Sequence, residues 1–333
     1  MTPPDLPVGK VPPHVLQALV YPHVGVRRDD VLVHAEIGED SAVIDFGDEV
    51  AVLTTDPITG AQRDIGWYAV FVATNDLAAT GAEPVALTLT LLLATGHPSD
   101  DLSRVMRDAA AAAKVVGVEI AGGHSEVTSG IDRNLIIVTA LGRARKDRVL
   151  RSGGARPGDA LLLTKGAGIE GTAILAAEFE IRLRAALGDA LVHRALAFRD
   201  RISVLPEGRA AAGARARAMH DVTEGGVLAA AYEMAVASGI GVRVDGDRVP
   251  VLPETATICA HLGVDPFALI GSGALLIAAP DPRRTSAAVE AAGVLVASVG
   301  EFLAEGRWLR RGGRDQPLVP PARDELWRVL EGR

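Results

Sequence analysis

Five short polar segments stand out from a chain that is otherwise rich in aliphatic residues. In Gly38-Glu39-Asp40-Ser41 two carboxylates stand just ahead of the apolar run Ala42-Val43-Ile44. Thr54-Thr55-Asp56-Pro57 places hydroxyls and a carboxylate at the end of another such run. Asn75-Asp76 lies inside an apolar stretch of helical spacing, where a buried charge without a partner would be costly. Gly122-Gly123-His124-Ser125-Glu126 reads as a turn whose backbone can approach a ligand closely. Converging carboxylates are most economically partnered by a hard divalent cation, and Mg²⁺ takes one or two carboxylates together with phosphate oxygens. The sequence contains no GxxxxGK[ST] loop, so carboxylate-held Mg²⁺ and glycine-rich backbone must bring in any phosphates. The fifth segment, His220-Asp221-Val222-Thr223-Glu224-Gly225-Gly226, precedes a helix. Thr223 reads there either as an N-cap or as part of a phosphate site at the helix N-terminus.

The elements that position these residues follow from periodicity and turn residues. Strands are expected at 31–33, 42–46 and 50–55, the last two joined as a hairpin through Gly47-Asp48. A helix over 66–80 ends at Gly81, and a buried strand follows at 85–93. Ser99-Asp100-Asp101 caps a helix over 102–116 that closes at Gly117. A short strand at 118–121 runs into the Gly-Gly turn, and another covers 134–141. The Arg-, Gly- and Pro-rich stretch 143–158 marks a boundary that divides the chain into domains 1–148 and 149–333. The second half alternates a strand at 160–164, a helix from Glu170, helices at 189–203, 225–237, 254–261 and 282–291, and strands at 241–244, 274–278 and 294–299. Neither half keeps a regular βαβα beat, so the class is α+β rather than a doubly wound sheet.

Bulk properties exclude several functions. A length of 333 residues suits two domains, and 48% hydrophobic residues exclude a mainly disordered chain. A net charge of -8 argues against a nucleic-acid partner. Cys259 is the only cysteine, which excludes an internal disulfide and reads as an inert core thiol in a reducing, cytoplasmic setting. The longest apolar run, 85–94, is too short to span a bilayer, and the N-terminus does not read as a signal peptide.

Taken in order, GEDSAVI, TTDPITG, NDLAATGAEP, AGGHSEVT and HDVTEGG resemble the family of aminoimidazole ribonucleotide synthetase (PurM), thiamine monophosphate kinase, selenophosphate synthetase and the hydrogenase maturation factor HypE. The resemblance covers roughly residues 9–303 and leans to HypE. It implies a two-domain AIR synthase-related protomer: a first, ATP-binding domain that pairs into a barrel across a homodimer, and an α/β-sandwich-like second domain. It further implies Mg-ATP as cofactor, transfer of the γ-phosphate to a small carbonyl or amide-type substrate, and a metalloenzyme maturation protein as a further partner. Carried over, Asp40, Asp56, Asp76 and Asp221 are metal ligands. Asp56, Asp76, Asp221 and Lys10 are catalytic, Lys10 as a phosphate-facing lid residue. Thr55, Asn75, Gly123, His124, Thr223 and Glu224 contact the nucleotide. Many relatives have an acidic residue where His124 stands, so that ligand is lost, altered or supplied by Glu126. HypE ends in a cysteine that carries its carbamoyl group, whereas this sequence ends Leu330-Glu331-Gly332-Arg333, which implies a free substrate instead. A non-catalytic nucleotide-binding assembly factor and aminoimidazole ribonucleotide synthetase itself are the alternatives.

Overall fold

The computed structural model describes residue 6 and residues 8–61, 63–96 and 99–331. The expected capping side chain of Ser99 and the terminal Gly332 and Arg333 lie outside the described residues. The first half builds one six-stranded sheet from β1 (Val31–Val33), β2 (Ala42–Asp45), β3 (Glu49–Ile58), β4 (Glu83–Ala94), β5 (Glu119–Thr128) and β6 (Leu135–Arg145), in the order β1-β2-β3-β6-β4-β5. β2 and β3 form the expected hairpin, and β3 pairs antiparallel with β6 along its whole length. Its helices are α1 (Pro13–Leu19), α2 (Ile65–Ala79) and α3 (Ser99–Val116).

The second half forms a seven-stranded sheet in the order β13-β12-β9-β11-β7-β10-β8. Its strands are β7 (Ala160–Thr164), β8 (Ala218–Asp221), β9 (Gly241–Asp245), β10 (Leu275–Ala279), β11 (Val296–Leu303), β12 (Arg307–Arg311) and β13 (Arg314–Pro317). Among the described residues eight α-helices accompany it: α4 (Ile169–Glu178), α5 (Glu180–Leu187), α6 (Asp189–Leu196), α7 (Leu205–Gly213), α8 (Gly226–Ala237), α9 (Pro253–Leu262), α10 (Pro282–Ala291) and α11 (Glu325–Glu331). The expected helix over 189–203 is shorter, because α6 gives way to a 3₁₀ segment at Ala197–Arg201.

α2 contacts both halves. All but one of its residues are buried, because it packs on α3, on β3 and β6, and on β8 and α7 of the second half. Val70 and Leu77 therefore share one apolar cluster with Ile169, Leu175 and Ile202. The approach of α7 is so close that a Cβ on Gly208 would lie 2.7 Å from the Ala78 carbonyl oxygen. A helix buried on every face has nowhere to send a carboxylate except into an internal cleft, which is where Asp76 goes.

One local expectation fails. Gly122-Gly123 is not a turn, since β5 continues through it to Thr128, parallel to β4. The register slips by one residue between the pairs Leu87–Ile120 and Thr88–Gly122, and Gly123 has φ 152°. A Cβ there would lie 2.0 Å from the Leu89 carbonyl oxygen, so glycine serves a bulge in a strand rather than a ligand-facing loop.

Candidate functional site

A cleft of about 1100 Å³ runs between the two halves, lined by Lys10, Asp40, Thr55, Asp56, Asp76, Asp221, Thr223 and Glu224 among others. β3 delivers Thr54 and Asp56 on the same side as Asp76 of α2, and Thr54 Oγ1 donates a hydrogen bond to Asp76 Oδ2. β8 ends in Asp221, and Asp40 enters from the loop before β2. Single ligand atoms of Asp40, His220 and Asp221 lie within 4.8 Å of one another. Asp76 and Asp221 are buried, and among the described residues Asp56 Oδ2 and Asp221 Oδ2 have no hydrogen-bond partner. Burial, followed by the charges of Asp56, Asp221 and Asp40, pushes the Asp76 carboxyl well above its ordinary range. Asp221 is raised in the same way by burial and Asp40, with His220 offsetting part of the rise. Four carboxyls line one cleft, two of them with an orphaned oxygen, which is a chemistry suited to a hard cation such as Mg²⁺.

Behind this cluster runs a chain of paired charges. Asp40 Oδ2 accepts from His220 Nδ1 at 2.6 Å and from Ser152 Oγ at 3.1 Å. His220 Nε2 lies 3.2 Å from Glu233 Oε2, and Lys10 Nζ donates to both Glu233 oxygens at 3.1 Å. Burial alone would depress the imidazolium, yet Asp40 and Glu233 outweigh it and raise the His220 pKa to about 10. Glu233 is depressed to about 2, because its bonds to His220 and Lys10 overcome its desolvation. Both ring nitrogens are thus spent on carboxylates, which makes His220 an orienting cation and not a metal ligand. The Lys10 backbone N–H also donates to Glu224 Oε2 at 2.7 Å, tying the N-terminal segment to the loop before α8.

Several expected site residues are placed elsewhere. Asn75 faces away from the cleft: its Nδ2 donates to the Ile202 carbonyl and its Oδ1 accepts from the Val204 N–H, both at 2.9 Å. It is wholly buried and does not line the cleft. Gly123, His124 and Glu126 lie on β5, the exposed edge strand, and none of them lines the cleft of their own chain. His124 Nε2 stands 3.4 Å from Glu126 Oε2, both side chains open to solvent. Thr223 does line the cleft, but it does not cap α8; Gly225, with φ 81°, occupies that position. The Gly225 N–H donates instead to Asp324 Oδ2 at 2.6 Å.

The Asn75 contacts carry a prediction for stability. Asn75→Ala removes two buried hydrogen bonds and leaves a carbonyl and an N–H unpaired, so urea denaturation should show a loss of about 2–4 kcal/mol. An unchanged midpoint would remove the clamp role.

With the geometry in place, the chain can be set against known proteins. The model for the AIR synthase related protein N-terminal domain matches residues 38–144, and that for the C-terminal domain matches residues 156–308. The chain belongs to the AIR synthase related family. Within this family it is 32% identical to the carbamoyl dehydratase HypE of Rhizobium leguminosarum bv. viciae, over 73% of this chain and 70% of that protein. A chain of a solved HypE–HypF complex superposes with a TM-score of 0.75 at 22% identity, covering 92% of this chain and 99% of the other. HypE solved in complex with ATP superposes at 0.69 and 23% identity, over 95% and 91%. The α+β, two-domain AIR synthase fold read from the sequence is thus the fold observed. Among the described residues no helix is long and apolar enough to cross a membrane.

His220, Glu233, Glu170, Asp324 and Trp327 were not singled out in the sequence as site residues. Glu233 carried the same signal as Asp76, a carboxylate inside an otherwise apolar helix. Trp327 and Asp324 belong to a short C-terminal helix and its cap, and nothing local in the sequence ties them to a cleft.

Proposed function

We propose that the protein binds Mg-ATP in this cleft and uses the γ-phosphate to activate a small carbonyl or amide-type compound. The observation that carries this reading is the pair of buried, unpartnered oxygens, Asp56 Oδ2 and Asp221 Oδ2, beside Asp40 and Asp76. These four carboxylates would hold the ion; when bound, Mg²⁺ offsets their charge and stabilises negative charge on the phosphoryl oxygens. Lys10, held by Glu233, faces the same cleft as a cation for phosphate, and Thr55, Thr223 and Glu224 line the space left for the nucleotide. His220 fixes the orientation of Asp40. The HypE relatives support the ATP-dependent part, since one of them was solved with ATP.

Cys259 favours a free substrate over a thiol-borne one. It is buried in α9, and burial pushes its thiol up to about 12, so it offers no ready nucleophile. A homodimer is part of the proposal. Leu53 of β3 and Leu141 of β6 stand opposite each other and are 37% and 39% exposed, on the sheet face that also carries His124 and Glu126 of edge strand β5. A sheet face with exposed leucines of this kind suits a second copy. Only through such a pairing would His124 and Glu126 reach a cleft at all. A maturation protein remains a further partner, by analogy with the HypE–HypF complex.

Calorimetric titration with Mg-ATP, followed by phosphate-release assays with candidate amides, tests the reading. Wild type should bind and turn over, and Asp56→Asn and Asp76→Asn should each lose about 10²-fold or more in rate. Equal rates in all three proteins would sink the assignment, and binding without turnover would move the protein to an assembly role.

A further inference from the structure

Near its two ends the chain meets itself in the cleft, where Gly9 lies against Trp327 of α11. Gly9 has φ 113°, and a Cβ there would lie 3.0 Å from Cδ1 and Nε1 of Trp327 and from Glu224 Oε2. Only glycine accommodates this backbone and the indole together. The far edge of the same indole, Cη2 and Cζ2, lies 3.6 and 3.7 Å from the Cβ position of Gly60, just after β3. The ring therefore fills the space between the N-terminal segment and a loop of the first half, and it is only 7% exposed. Its Nε1 makes no hydrogen bond among the described residues, so shape is what holds these contacts.

α11 itself is fastened to the second half. Asp324, just before it, accepts from the Gly225 N–H at 2.6 Å, and Glu325 Oε2 accepts from the Asp265 N–H at 3.2 Å. Arg328 Nη2 donates to the Gly263 carbonyl at 2.6 Å. Leu326 and Trp327 then reach across to the first half at Gly60 and Gly9. The residue after Gly9 is Lys10, whose side chain is 49% exposed. A half-exposed ion pair to Glu233 contributes little to holding a terminal segment, whereas a buried ring against the preceding residue does more.

We infer that Trp327 is a positioning residue for Lys10: α11 reaches from the second half to clamp the N-terminal strap at Gly9, which keeps the Lys10 ammonium in the cleft for the nucleotide phosphates. The use of that ammonium rests on the Mg-ATP reading; the clamp itself does not.

Residue-resolved hydrogen exchange of the ligand-free protein reads the docking of the strap without nucleotide or turnover. The Lys10 N–H, bonded to Glu224, should exchange about 10-fold faster in Trp327→Ala. Trp327→Phe keeps a ring and loses only an N–H that makes no bond, so it should stay within about 3-fold of wild type. Gly9→Ala attacks the contact from the other side with α11 untouched, and should match Trp327→Ala. The Val204 N–H, held by Asn75 Oδ1, should keep its rate throughout; where Trp327→Ala frees it too, Gly9→Ala decides. A Lys10 N–H that exchanges as in wild type in Gly9→Ala overturns the clamp. Calorimetry extends the test to Mg-ATP. Its Kd should rise about 10-fold in Lys10→Ala and in Trp327→Ala, and the second change should add less than about 2-fold to the first. A full further loss on the Lys10→Ala background overturns the route through Lys10, since the indole would then act on the nucleotide by itself. Absent Mg-ATP binding with the exchange effect intact refutes the Mg-ATP reading and not the clamp.

Discussion

Asp221→Asn is expected to stabilise the ligand-free protein while removing most of its ability to use Mg-ATP. Asp221 is 1% exposed, its Oδ2 has no partner among the described residues, and burial together with Asp40 holds its carboxyl well above the ordinary range. A carboxyl raised in the folded state makes the native protein bind more protons than the unfolded chain, so stability falls as pH rises from the usual carboxylate range towards the raised value. Asparagine has the same shape and no charge, so it escapes this loss. The gain should therefore be small near the ordinary carboxylate pKa of 3.8 and grow towards neutral pH, to about 1–2 kcal/mol, or a few degrees in Tm. In the presence of the nucleotide the order reverses. Wild type gains about 2.7 kcal/mol at a free Mg-ATP concentration of a hundred times Kd, and the variant gains far less, because it lacks one of the four carboxylates. Turnover should drop by about 10²-fold or more. Thermal denaturation with and without Mg-ATP, at two pH values, reads both effects. A variant that is less stable without ligand and equally protected by Mg-ATP would contradict the account.

This antagonism explains which parts of the site were legible in the sequence. Asp76 was conspicuous because a carboxylate in an all-apolar helix has to be compensated by something, and the argument needs no structure. Its neighbour Asn75 also needs partners when buried, but they are backbone groups at Ile202 and Val204, more than a hundred residues on, which no local pattern reveals. Gly122-Gly123 looked like a turn because glycine permits one, whereas the actual constraint is the Leu89 carbonyl of the adjacent strand. Strands β3, β4 and β7 were readable from their own alternation or apolarity. β12, β13 and α11 were not, since their short or highly charged runs are ordered by what they pack against. The charges behind the site, Lys10, His220 and Glu233, come from three separate elements, so only the fold brings them together.

Removing His220 should be the most destabilising single change near the cleft. Its imidazolium is 2% exposed and stands between Asp40 and Glu233, with Asp221 next in sequence and Asp56 also acting on Asp221. His220→Ala leaves Asp40 and Glu233 in place and takes away the cation they share, and breaking such a buried pair costs about 3–5 kcal/mol. The pH dependence distinguishes this from simple loss of packing. The folded-state pKa of His220 is raised from 6.5 to about 10, so its contribution is whole below 6.5 and is lost as pH rises through 10. Glu233 is lowered from 4.5 to about 2, so its contribution is whole above 4.5 and is lost as pH falls through 2. Between those limits, from 4.5 to 6.5, both terms act at full strength, and the difference between wild type and variant should be largest there. It should shrink steadily towards alkaline pH, where wild type also loses the imidazolium. Denaturant titrations across this range measure the difference, and ¹⁵N chemical shifts of the imidazole should show both ring nitrogens protonated at pH 8. A ring that titrates near its ordinary value would mean that Asp40 and Glu233 do not act on it as anions. The charge chain that aligns Asp40 and holds Lys10 over the cleft would then have to be replaced by neutral hydrogen bonds, and the pH-dependent part of the destabilisation would vanish with it.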